Sequence, residues 1–215
     1  MSHSASFTLY TSGRLCYNTG RINVLSYRYR IVNRADRARR SCCTVEMIPT
    51  TGHQTSDLLE VAETATTGYV KVHGHATFQQ AGDLRDFVHA QLAARHSGVL
   101  VDLDNCSSVD STFVGTLTSL TMKYRRTGLG CLKLFNVRPR VREVLATLGL
   151  TRVLEICDDA GNAAAANYSV LATAPRSKID IARLMLTAHE TLAQLNEQNA
   201  VEFKNVVDYL RAKLD

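Results

Sequence analysis

The alternation of hydrophobic and polar residues becomes regular at Leu58 and predicts the elements of one folded domain. Stretches with the length and composition of strands occur at residues 58–63, 69–75, 99–104, 131–135 and 153–156. Thr66-Thr67-Gly68 separates the first two stretches, which predicts an antiparallel hairpin. The run at 99–104 is apolar and closes in acids, the pattern of a strand that is covered on both faces.

Apolar residues spaced three and four apart predict helices between the strands, around residues 84–92, 111–124 and 141–148. Pro139 suits the first turn of the third helix, and Gly149 suits its C-terminal end. The order strand, strand, helix, strand, helix, strand, helix, strand predicts an α/β fold, in which helices pack on a mixed β-sheet. We assign residues 57–157 to this domain.

The C-terminal part of the chain predicts a helical hairpin at residues 178–215. Residues 158–177 precede it and are poor in bulky apolar side chains, which indicates a linker. Asn199, with Glu202 three residues later, is the expected start of the second helix. Each helix has one apolar side that must be buried, either against the sheet, against the other helix, or across a dimer.

Residues 1–46 differ from the rest in charge. They contain eight Arg, no Lys and two acids, whereas the remaining residues carry 17 basic and 18 acidic side chains. The net charge of +5 is therefore a property of this segment, and the body of the protein is not a basic nucleic-acid-binding domain. Tyrosines among arginines at 26–30 are typical of an arm that binds single-stranded nucleic acid. The segment has no periodic apolar residues, and the charge balance changes abruptly at Met47. Both features favour a disordered or non-native basic extension instead.

The sequence lacks the motifs of several enzyme classes, with no GxxxxGK[ST], GxGxxG or GxSxG segment. His73 and His75 alternate on one strand, but no third ligand is near in sequence, which favours polar residues over a metal site. The six cysteines contain no CxxC pair and indicate reduced thiols. Without a signal or spanning segment in the sequence, we expect a cytoplasmic protein with no cofactor and no membrane partner.

The candidate site is the segment that begins at Asp110. Asp110 is placed to cap the predicted second helix, and Ser111 and Thr112 lie where the first backbone N–H groups have no partner. A phosphate on Ser111 would meet those donors and the positive end of the helix dipole. Asp102 and Asp104 precede this segment; the three acids suggest either a magnesium site or, as we favour, a capping and partner-facing acidic rim.

Several spaced motifs resemble the STAS domain, the fold of bacterial anti-sigma factor antagonists and of the cytoplasmic tails of sulphate transporters. The motifs are Val101-Asp102-Leu103, then Val109-Asp110-Ser111-Thr112-Phe113-Val114-Gly115, then Asn136-Val137-Arg138-Pro139-Arg140-Val141. They occur in the family's order over residues 99–156, and more weakly back to Leu58. Phe113 is a departure, because the family usually has Gly at that position.

The resemblance implies a non-enzymatic partner-switching regulator. Its partners would be an anti-sigma factor that is also a serine kinase, and a metal-dependent Ser/Thr phosphatase. Ser111 would be the phosphorylated residue, with Thr112 as the second candidate. The partner-binding residues would be Asp102, Asp104, Asp110, Ser111, Thr112 and Phe113.

Two other functions fit the same residues. In a constitutive STAS scaffold, Ser111 would only cap a helix, and the C-terminal helices would drive assembly, for example as a homodimer. In a small-ligand or nucleotide sensor, the acidic rim and the loop amides would hold the ligand. Phosphate incorporation separates the regulator from the scaffold, and a ligand-dependent melting shift would reveal the sensor.

Overall fold

The computed structural model describes residues 28–35, 41–48, 57–157 and 167–214. The chain divides into two compact units, Met1–Gln54 and Thr55–Asp215. In the first unit, β1 (Arg28–Ala35) and β2 (Ser41–Ile48) form an antiparallel pair. The sequence did not predict these strands, because backbone pairing alone requires no apolar period. The assignment of residues 1–46 as a disordered or non-native extension stays a prediction. Apart from the two strands, the residues of this segment lie outside the part of the chain that the structure describes.

The second unit is built on a seven-stranded sheet. Its strands are β3 (Leu58–Glu63), β4 (Thr67–Ala76), β5 (Gly98–Asp102), β6 (Cys106–Val109), β7 (Cys131–Phe135), β8 (Glu155–Ile156) and β9 (Ser169–Val170). The strand order is β8-β7-β5-β4-β3-β9, and β6 pairs with β4. β3 is antiparallel to β4 and β9, whereas the other pairs are parallel. The predicted mixed sheet and its first hairpin are confirmed.

The helices also follow the prediction. They are α1 (Phe78–Ala93), α2 (Ser111–Thr127), α3 (Pro139–Thr147), α4 (Lys178–Ala193) and α5 (Glu197–Leu214). Pro139 is the first residue of α3, and Gly149 follows its end with a φ of +71°, the left-handed conformation that suits glycine.

The main core lies between one face of the sheet and the helices. Its inward strand residues are at most 1% exposed: Val70, Val72, Val99, Val101, Leu132 and Leu134. All five helices contribute side chains to the same core. Strand side chains alternate between faces, so Tyr69, Leu100 and Phe135 belong to the opposite face, where a smaller apolar cluster forms.

β6 is the element that carries the chain to the candidate site. The long strand β4 pairs with β5 over its first half and with β6 over Gly74–Ala76. Gly74 has a φ of +69° at the point where the register shifts. The sequence did not predict β6, because Cys-Ser-Ser-Val is short and half polar, and the strand expected at 99–104 ends at Asp102. β6 delivers the chain to Asp110 at the end of the sheet.

The predicted linker at 158–177 is described from residue 167 onwards. There, β9 pairs with the edge strand β3, and the backbone N–H of Leu171 donates to the carbonyl of Leu59 at 2.8 Å. Arg176 pairs with Asp83 at 2.7 Å and with Asp86 at 2.8 Å. The described part of this segment is therefore fixed along the domain surface, through contacts that its composition did not predict.

The C-terminal helical hairpin is confirmed as α4 and α5, with one correction. The second helix begins at Glu197, and the side chain of Asn196 accepts the backbone N–H of Asn199 at 2.8 Å. Asn199 is buried instead and donates to the carbonyls of Leu148 and Leu192, at 3.0 and 3.1 Å. An asparagine that caps and one that crosslinks look alike in sequence, because both use the same amide group.

Candidate functional site

Asp110 holds together the starts of two helices. Its backbone N–H donates to the carbonyl of Ala76 at 2.9 Å, which fixes it at the end of β4. Oδ1 accepts the N–H of Phe113 in α2 at 2.7 Å, and Oδ2 accepts the N–H of Phe78 in α1 at 2.8 Å. Burial raises the pKa of this carboxyl, and the hydrogen bonds from Phe113 and Phe78 oppose that shift. The predicted cap of α2 is therefore correct, and Asp110 also accepts the first N–H of α1, whose own cap is Thr77.

Ser111 is the first residue of α2, and its hydroxyl is paired with a histidine of α4. Its Oγ lies 3.0 Å from Nε2 of His189, whose Nδ1 lies 2.7 Å from the carbonyl oxygen of Met185. A carbonyl can only accept, so Nδ1 carries the proton, Nε2 is the acceptor, and the Ser111 hydroxyl donates to it.

His189 is held neutral by its surroundings. Only 4% of its surface is exposed, and its ring meets the edge of Phe203 with centroids 5.4 Å apart. Burial lowers the pKa of His189, while the Met185 carbonyl and Asp110 act in the opposite direction. Sequence reasoning missed this residue, although it interrupts the apolar stripe of α4 directly after Ala188, which was the available signal.

The three acids of the predicted rim occupy two places. Oδ1 of Asp102 accepts the side-chain amide of Asn136 and the backbone N–H of Asp104, both at 3.0 Å. Asp104 is exposed in the loop before β6. The strand β6 lies between these two acids and Asp110 along the chain. Its four residues span about 13 Å, at about 3.3 Å for each residue. Among the described residues, no group of three or more His, Cys, Asp or Glu side chains is placed to hold a metal ion.

Thr112 and Phe113 are placed inside the domain rather than on its surface. Thr112 is 2% exposed and Phe113 is fully buried. Phe113 fills the core beneath the helix start, where the family's usual glycine has no side chain. A partner can reach either side chain only after the surrounding helices move, so Ser111 is the more accessible of the two hydroxyl candidates.

The described cysteines carry no sign of reactivity. Cys106 and Cys131 are free thiols, and burial raises the pKa of both, for Cys106 to about 11. A thiol with a raised pKa is a poor nucleophile and a poor metal ligand at neutral pH.

Residues 59–155, slightly less than half of the chain, match the family model described as "Mlab, STAS domain". Over these residues the chain is a STAS domain, as the resemblance implied. None of the described helices is both long and apolar enough to cross a bilayer. Among proteins with curated functions, none matches the chain significantly.

Solved structures with a similar fold include the unphosphorylated anti-sigma factor antagonist SpoIIAA, at 19% identity over 47% of this chain and 89% of that chain, with a TM-score of 0.42. A variant of RsbS from Moorella thermoacetica has 17% identity over 46% of this chain and 85% of that chain, with a TM-score of 0.40. SLC26A9 has 16% identity over 52% of this chain and 24% of that chain, with a TM-score of 0.40. Identities this low indicate a shared fold alone.

Proposed function

We propose that this protein is a non-enzymatic partner-switching regulator of the anti-sigma factor antagonist kind, controlled by phosphorylation of Ser111. Its partner would be an anti-sigma factor with serine kinase activity, and a metal-dependent phosphatase would reverse the modification. The exchange would take place in the bacterial cytoplasm and regulate transcription without direct contact with DNA.

The observation that carries this proposal is the position of Ser111 at the first turn of α2, directly after the capping Asp110. A serine there is partly exposed and lies at the positive end of the helix dipole, which stabilises a nearby phosphate. Phosphorylation adds about −1.5 to −2 charges beside Asp110. A partner that docks on this surface would then face like charges, so the modification would weaken the complex while the fold persists.

A constitutive scaffold is the second candidate, and one observation favours it. The Ser111 hydroxyl already has a hydrogen-bond partner in His189, so the serine has a structural role that does not require phosphorylation. In that case the loop of Asp102 and Asp104 and the C-terminal helices would bind a partner, or a second copy of this chain, regardless of phosphorylation.

A binding experiment separates the two functions. The full chain is used as bait in a host lysate with and without ATP, and mass spectrometry maps both partners and phosphosites. Ser111→Asp should weaken the capture of the ATP-sensitive partner at least tenfold, or about 1.4 kcal/mol, and Ser111→Ala should bind without being phosphorylated. Ser169→Asp is the matched control, because Ser169 is exposed on the edge strand β9. A phosphosite found only at Thr112, or equal capture of wild type and Ser111→Asp, would favour the scaffold.

A further inference from the structure

The first turns of α2 are covered on two sides. Residues 112–118 are all buried, although α2 has the sequence of a helix with one apolar and one polar side. Phe113 and Leu117 pack into the main core, whereas Gly115 lies under α4. A Cβ at Gly115 would lie 2.4 Å from the carbonyl oxygen of Ala188, so the two helix backbones touch there. The α4–α5 hairpin therefore occupies a helix face whose composition suits water.

Two buried hydroxyls of α2 are satisfied within the helix itself. The hydroxyl of Thr118 donates to the carbonyl of Val114 at 2.8 Å, and that of Thr121 donates to the carbonyl of Leu117 at 2.9 Å. Both bonds are internal to α2, so they do not hold the α4–α5 hairpin in place. The hydroxyl oxygen of Thr116 is buried without a partner among the described residues.

The bond from Ser111 to His189 is the polar contact between α2 and the hairpin at this end. The hydroxyl oxygen and the imidazole nitrogen are 3.0 Å apart, a gap that a phosphoryl group cannot enter without moving one of them. The imidazole of His189 has no room to rotate away from Ser111, because it is buried, bonded to the Met185 carbonyl and packed against Phe203. A phosphate on Ser111 would thus act on the whole of α4.

We propose that phosphorylation of Ser111 breaks the contact with His189 and loosens the packing of the α4–α5 hairpin on α2. This inference rests on the proposed function, because it takes Ser111 as the modified residue. In the step itself, the Ser111 oxygen forms a bond to the γ-phosphorus of ATP, the bond from that phosphorus to the β–γ bridging oxygen breaks, ADP leaves, and the kinase's base takes the hydroxyl proton.

Hydrogen exchange measured by mass spectrometry tests this inference without any kinase. Phosphoserine is incorporated genetically at position 111 of the full chain, and at position 169, which is exposed on the edge strand β9, as a matched control. Exchange should become at least tenfold faster in the α4 peptide covering residues 182–192, but stay unchanged in the β4 peptide covering residues 67–76. Phosphoserine at position 169 should change neither peptide.

The His189→Ala variant provides the second measurement. It removes the contact that the phosphate disturbs, so α4 should exchange faster without phosphate, and phosphoserine at position 111 should add much less than in wild type. Unchanged or slower exchange of α4 in the phosphorylated chain would overturn the inference, as would equal acceleration of the α4 and β4 peptides.

The same samples distinguish this inference from the proposed function. If the phosphorylated chain loses its partner while α4 exchange is unchanged, the proposed regulator is supported and the loosening of the hairpin is not. If α4 loosens but no ATP-dependent partner is found, the loosening is supported and the regulator is not.

Discussion

Asp110 is the residue that ties the candidate site to the fold. One carboxylate accepts backbone N–H groups from both α1 and α2, so the two helices start from a common point. The capping role explains why this acid is needed even when no partner is bound.

Asp110→Ala should destabilise the domain by about 2 kcal/mol, since it removes the acceptors of two N–H groups at helix starts and each such bond is worth about 1 kcal/mol. Asp110→Asn retains one acceptor oxygen and should lose about half of that. Urea denaturation measures both free energies of unfolding. A loss below 0.5 kcal/mol for the alanine variant, by the scale of ordinary surface substitutions, would contradict this capping role.

His189 should make stability depend on pH. Burial lowers its pKa below the ordinary value of 6.5, so the unfolded chain binds a proton that the folded chain resists. The contribution of His189 to the free energy of unfolding is thus complete above about pH 6.5. It falls as the pH drops from there towards the lower pKa of the folded state, by up to about 1.4 kcal/mol per pH unit.

The His189→Gln variant isolates this contribution, because glutamine keeps a donor for Met185 and an acceptor for Ser111 but does not titrate. Its unfolding free energy should vary less between pH 7 and pH 5 than that of wild type. Burial also lowers the pKa of His89, so His89→Gln is the matched control for a histidine outside the site. Identical pH profiles for wild type and His189→Gln would contradict the assignment.

At the scale of elements, the C-terminal hairpin is part of the folded domain. Leu184, Leu192 and Phe203 belong to the main core together with strand residues of the sheet. Asn199 adds a polar crosslink between α5 and the end of α3. The apolar sides of α4 and α5 are therefore buried within one chain, which answers the question that their sequence left open.

Leu192→Asp should cost at least about 4 kcal/mol, because it places a charge at a fully buried position. Val201→Asp is the matched control on α5, since Val201 is 78% exposed, and it should change stability by less than about 0.5 kcal/mol. Thermal and urea unfolding measure both variants. Equal stability of the two would mean that the hairpin does not pack as described.

At the scale of the whole molecule, the STAS domain and its hairpin form one compact unit with its own core. Residues 1–54 form the second compact unit. A variant that starts at Met47 should keep the melting temperature of the full chain, because the residues it lacks show no apolar period that could serve the core of the second unit. Differential scanning calorimetry of both chains is the measurement. A drop of several degrees would show that the extension stabilises the domain.

The sequence by itself determined five of the strands, the helices and the cap of α2. Periodic apolar residues set the faces of α1, α2 and α3, Asp110 marked the start of α2, and Pro139 and Gly149 marked the ends of α3, because these signals act within a few residues along the chain. The spaced motifs at residues 101–103, 109–115 and 136–141 were likewise local, and together they indicated the STAS domain. Short polar elements such as β6 and β9 escaped prediction, because their partners in the sheet define them.

Only the tertiary structure decided what surrounds Ser111. The hydroxyl meets His189, which is 78 residues away in sequence, and the backbone of α4 lies against Gly115. It also separated Asp102 and Asp104 from Asp110, which sequence proximity had grouped together. Such contacts depend on how helices pack across the sheet, and packing is fixed by the sum of many side chains rather than by any one local pattern.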